Sequence, residues 1–183
     1  MTDAIAPAPH APDFILPPVL CGIILDALRA RIGDAPAEAP HGLTVGAPED
    51  PYLRRWFLTP RGDGPAVYLH QFARDDDDRA LHDHPWPSIG IILRGGYLEH
   101  TPAGVRQRLV GDVVQRAPTD RHRVVLMRDA AGVAMPCWTL FLVGARVRDW
   151  GFWCEEGERE RFVPWQDFTA GPDGALVGKG CGA

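Results

Sequence analysis

Leu81-His82-Asp83-His84-Pro85-Trp86 is the stretch on which the reading of this chain turns. On an extended backbone, side chains at i and i+2 point the same way, so His82 and His84 share a face and Asp83 turns from it. A neutral imidazole offers one lone pair, and two side by side can grip one divalent ion. Outward from this pair the text is strand-like in both directions. Tyr52 to Leu58 and Ala66 to Phe72 precede it; Ser88 to Leu93, Gly96 to His100, Arg106 to Val110, Val113 to Arg116, Arg123 to Met127 and Trp138 to Val143 follow. Gly95-Gly96 reads as a hairpin turn. Many short strands at even spacing predict an all-β sandwich or barrel.

A third ligand has to come from elsewhere, and His122 is the candidate. It opens a strand after Pro118-Thr119-Asp120-Arg121, in phase with Val124 and Leu126, which would point inward with it.

The flanks read differently. Leu20, Ile24, Leu28 and Ile32 recur at helical spacing between Pro17 and Ile32, and Gly33 stands as a stop. This helix is expected to cap the barrel or to take part in a dimer contact. The expected division is an arm and helix over residues 1–42, a barrel over 43–169 and a flexible tail over 170–183. Trp150, Phe152, Trp153, Phe162, Trp165 and Phe168 make the end of the barrel an aromatic segment, expected to wrap it outside and cover a sheet edge.

Composition narrows the functional classes. The 183 residues fit one domain, with 45% hydrophobic and 23% charged residues, ordinary for a soluble globular protein. The net charge of -5, without a basic stripe, argues against nucleic acid. The longest apolar run, Val19 to Leu25, is too short to span a bilayer. Cys21, Cys137, Cys154 and Cys181 form no CxxC pair, which argues against a cysteine zinc site. No secretory signal shows, so the expectation is a cytoplasmic protein with reduced thiols.

From His82 to His122 the chain resembles the two motifs of the cupin superfamily. The first is His-x-His, three or four residues, Glu, six residues, Gly; here three residues after His84 comes Ser88, and six further on comes Gly95. The second is Gly, five residues, Pro-x-Gly, two residues, His. Gly111 and His122 keep that separation, with Ala117 and Thr119 at the Pro and Gly positions. Ser88 thus stands where the family has its Glu ligand. Tyr68-Leu69-His70-Gln71-Phe72, the His-Asp-His-Pro-Trp stretch and Gly95-Gly96-Tyr97-Leu98-Glu99 look like a bacterial and phage-associated cupin group with no settled activity. The resemblance implies a cupin-type jelly-roll β-barrel, the three ligands His82, His84 and His122, and a homodimer.

Three neutral ligands leave a divalent ion its full charge, a stronger Lewis acid that draws anions such as thiolates or carboxylates. They also leave positions open for a small substrate and dioxygen. Among cupins such a site resembles the thiol dioxygenases, which implies iron(II) and an oxidoreductase; zinc, manganese or nickel with lyase, isomerase or hydrolase chemistry is the alternative, and a ligand-binding barrel without turnover is the third. Tyr97 and Glu99 share a strand face: Tyr97 is a candidate proton donor, and Glu99 a candidate fourth ligand or base. Arg94 is a candidate for holding a substrate carboxylate. His70 reads as a satisfied core residue, His100 as outward, Trp86 as a pocket wall or plain packing, and Asp75 to Asp78 as a solvated loop.

Overall fold

The computed structural model describes residues 14–38, 40–47, 49–60, 62, 64–76, 80–157, 159–170 and 176–182. The expected arm (1–13), Asp77 and Asp78 of the acidic run, and residues 171–175 of the tail lie outside them. The elements in order are α1 (Pro18–Ile32), β1 (Gly42–Ala47), β2 (Asp50–Phe57), β3 (Ala66–Phe72), β4 (Ala80–His82), β5 (Ser88–Arg94), β6 (Gly96–Thr101), β7 (Gly104–Leu109), β8 (Val113–Arg116), β9 (Arg123–Leu126), β10 (Cys137–Val143), β11 (Gly151–Glu156), β12 (Arg159–Pro164), α2 (Trp165–Phe168), β13 (Thr169–Ala170) and β14 (Leu176–Val177).

Two antiparallel walls face each other. One is a six-stranded sheet in the order β1-β2-β3-β10-β5-β8. The other joins β12-β11-β4 to β9-β6-β7. The seam between its halves is a bridge of two backbone hydrogen bonds, His82 N to His122 O and His122 N to His82 O, both 2.9 Å. Two of the three candidate ligands are therefore cross-strand neighbours. Period-two alternation sends Ile92, Tyr97, Val124, Leu126 and Cys137 into the space between the walls, where they form one buried cluster. Burying side chains of this size contributes about 1.5–3 kcal/mol each.

Helix α1 lies on the outer face of the six-stranded sheet. Cys21 and Leu25 are fully buried there, with Ile24, Leu28 and Ile32 beside them, against Trp56, Leu69 and Leu93. Leu20, expected in the apolar stripe, is 39% exposed, because the buried stripe runs through Cys21 and Leu25 instead. The Trp56 and Trp138 rings stack 5.6 Å apart in this layer.

Three expectations are corrected. Gly95 does not turn a hairpin: β5 pairs with β10 and β8, while β6 pairs with β7 and β9. It is the corner where the chain leaves one wall for the other. Its φ is +77°, and a Cβ there would lie 2.6 Å from Pro136 O, so a glycine is required. Asp75 and Asp76 are not merely solvated. They accept the Leu126 and Val124 N–H groups at 2.7 and 2.6 Å, which satisfies donors along β9.

The third correction concerns the thiols and the tail. Cys154 and Cys181 form a disulfide, whereas Cys21 and Cys137 are free and buried. The pair is 27 residues apart in sequence, and only the fold brings it together. The bond, with the β13–β14 pairing and Gly180 N donating to Phe168 O at 2.9 Å, ties part of the tail to the barrel. Denatured but unreduced protein should accordingly show two reactive thiols by thiol titration, and four after reduction. Four before reduction would mean the bond does not form. Among the described residues, no helix is long and apolar enough to cross a membrane.

Candidate metal centre

The cluster begins with local strand geometry. His82 ends β4 and His84 follows in the turn, both facing inward, with Asp83 between them facing the other way. Asp83 is fully buried and accepts Gly151 N at 3.0 Å and Trp153 Nε1 at 3.1 Å, with Arg148 Nη1 2.7 Å away. It fastens the histidine segment to β11. His122 arrives through the seam bridge at the start of β9. The ligand atoms of His82, His84 and His122 all lie within 4.8 Å of one another.

The donor set fits a divalent ion. His84 Nε2 and His122 Nε2 are 2.9 Å apart. Two donors at right angles around an ion, with bonds of about 2.1 Å, stand about that far apart. His122 Nδ1 faces Glu99 Oε1 at 3.3 Å, though not in hydrogen-bond alignment. A carboxylate there favours the proton on Nδ1 and leaves the Nε2 lone pair for the cluster. His82 Nδ1 similarly faces Asp76 Oδ2, at 3.7 Å. Burial pushes His122 down to about 3, with the Arg116 charge adding to it, and pushes His84 well below the ordinary range. Both imidazoles are therefore neutral donors near neutral pH.

Glu99 stands behind His122, away from the converging donors. Arg108 Nε donates to Oε2 at 2.7 Å, Arg116 Nε donates to Oε1 at 3.0 Å, and Arg116 Nη2 also donates to Oε1. Burial alone would raise this carboxyl, but His122 and Arg116 outweigh it and hold the group well below the usual carboxylate range. Tyr97 is buried on the same face, its hydroxyl 3.5 Å from Arg116 Nη2, and burial pushes its pKa up.

The three histidines open onto a cavity of about 260 Å³ between the walls. Its apolar lining includes Phe72, Trp86, Phe141, Trp150, Phe152 and Phe168. The aromatic segment thus contributes to the cavity as well as to the edge beside β4, because alternation on β11 turns Phe152 inward, 5.8 Å from the His82 ring. Polar lining includes Arg55, His70, Asp76, Tyr97, Arg116 and Thr139. His70 is satisfied, since its Nε2 accepts from Arg55 Nε at 2.9 Å.

Arg94 does not reach this cavity. It projects from the outer face of β5, and its guanidinium lies 3.6 Å from Asp26 of α1. Both side chains are more than half exposed, so the pair adds little stability. Arg94→Ala should leave metal binding unchanged and stability within about 0.5 kcal/mol, as read by metal analysis and denaturant melts. The arginines that do line the cavity are Arg55, Arg74 and Arg116, none of which strand reading alone singled out for it. The available signal was phase: Arg116 shares a face with Val114 on β8.

Two antiparallel walls enclose the three converging histidines, the barrel that the motif resemblance implied. Among solved structures, the chain is similar to DMSP lyase DddQ from Ruegeria pomeroyi, at 20% identity and a TM-score of 0.50 over 79% of each chain. It is also similar to a cupin-superfamily sugar phosphate isomerase from Silicibacter pomeroyi (16% identity, TM-score 0.43, 62% of this chain and 76% of that one). A third is a putative mannose-6-phosphate isomerase from Ralstonia eutropha (19%, TM-score 0.44, 56% and 91%). No family model and no curated protein matches the sequence.

Proposed function

We propose that the chain is a metal-dependent enzyme of cupin type that acts on a small anionic molecule bound directly to the metal. The observation behind this is the convergence of three neutral imidazoles on one cavity, with Glu99 engaged behind His122 by two arginines. His82, His84 and His122 would hold the ion. Bound there, a divalent metal supplies Lewis acidity or, as iron(II), a site for dioxygen. The chain's own residues do the rest. Glu99 and Asp76 orient His122 and His82. The aromatic lining excludes water and strengthens electrostatic contacts inside. The raised pKa of Tyr97 keeps its hydroxyl protonated, so it can give a hydrogen bond or a proton to a bound substrate.

The first chemical reading is an iron(II) dioxygenase or related oxidoreductase, for which three neutral ligands leave room. The second is a non-redox lyase, isomerase or hydrolase using zinc or manganese; the likeness in fold to a lyase over 79% of the chain favours it. Metal analysis of protein purified without added metal, with oxygen uptake measured on a thiol and carboxylate panel, separates them. Iron with substrate-dependent oxygen uptake supports the first. Tight zinc with no oxygen uptake sinks it and leaves the second.

A further inference from the structure

We propose that Arg116 forms a second anion-binding point in the cavity, and that the substrate carries two anionic ends, one for the metal and one for the Nη1 edge of this guanidinium above Gly90. This rests on the metal reading above for the first end only.

A guanidinium carries five N–H donors. Those of Arg116 are unequally used. Nε and Nη2 serve Glu99, and Nη2 also approaches the Tyr97 hydroxyl. Nη1 has no acceptor among the described residues. The side chain is only 6% exposed and lines the cavity beside Gly90, so this edge is a donor pair largely shielded from bulk water and open to an acceptor in the cavity. Gly90 keeps the space in front of it open: a Cβ there would stand 3.7 Å from Nη1 and 3.9 Å from Phe141 Cδ2. Charge agrees with geometry: Arg116 shares its carboxylate, Glu99, with Arg108, so Glu99 does not serve Arg116 alone. Arg116 Nε and His122 Nδ1 contact the same oxygen of Glu99, at 3.0 and 3.3 Å. The second anion point therefore lies immediately beside the histidine cluster, and short dicarboxylates are the class it fits.

Calorimetric titration of the metal-loaded full chain with malonate, succinate and glutarate, against propionate, butyrate and valerate, tests this. At least one dicarboxylate should bind about tenfold or more tighter than the monocarboxylate of equal length, the gain of a hydrogen-bonded charge contact. Gly90→Ala should shrink that advantage and Gly90→Val should cancel it, with metal content unchanged. Gly90→Ala adds only ordinary contacts, so it remains informative if the valine variant does not fold. No dicarboxylate preference, or a preference that survives both substitutions, overturns the proposal; chelation of the metal alone gives that second pattern. If the protein binds no metal, the metal reading fails separately. Weak dicarboxylate binding lost in Gly90→Val would then still support the Arg116 contact, and binding equal in both proteins would overturn it.

Discussion

His122→Ala should abolish stoichiometric metal binding while leaving the barrel folded. His122 supplies the donor that faces His84 Nε2 at 2.9 Å, and it is the only one of the three that comes from the far side of the seam. Without it, His82 and His84 offer two ligands from one short segment. Loss of a residue that merely orients a ligand costs about 10–100-fold in metal affinity, so loss of the ligand itself should exceed about 100-fold. The fold should survive because the seam at this position is held by backbone hydrogen bonds, which alanine keeps. Chelator competition and metal analysis read the result. A folded variant that retained its metal would refute the ligand set.

Glu99→Leu should destabilise the protein by about 3–5 kcal/mol, the range for removing one partner from a buried ion pair. Arg108 and Arg116 would be left buried without their shared counter-charge. Denaturant melts measure this, and a loss below about 1 kcal/mol would show that the cluster contributes little. Glu99→Gln separates structure from orientation. The amide keeps the shape and some hydrogen bonding, so stability should fall less, whereas metal affinity should still fall about 10–100-fold as His122 loses its carboxylate. Acid titration gives a further readout. The folded pKa of Glu99 is depressed, so its stabilisation is fully present above the unfolded value of about 4.3 and is lost as pH falls through the folded value in strong acid. Below about pH 4.3, stability should therefore fall less steeply with acid in Glu99→Gln than in the parent chain.

Much of this architecture was legible in local pattern. The strands Ala66–Phe72 and Val113–Arg116 were read to the residue, because alternation and flanking turn residues agree there. The histidine triad was legible because His-x-His needs only an extended backbone, and His122 keeps phase with Val124 and Leu126. What escaped was non-local. Gly95-Gly96 carries a hairpin signature, yet whether a glycine corner closes a hairpin or passes to the opposite wall depends on which strands pair, and the dipeptide does not encode that. The β1 strand, though inside the expected barrel, was not singled out as a strand because it has little aromatic or β-branched content, and its pairing with β2 supplies what propensity lacks.

The same division holds at the histidines. Sequence alone determined that His82 and His84 share a face of one extended segment and that His122 keeps phase with Val124 and Leu126, since side-chain direction follows from period two. Only the tertiary structure decided what surrounds them. It put Glu99 behind His122 instead of among the donors, sent Arg94 out to Asp26, brought Arg116 to the cavity and joined Cys154 to Cys181. Each of these depends on contacts between residues distant in the chain, where sheet pairing and burial set which charges meet, and no local spacing records that.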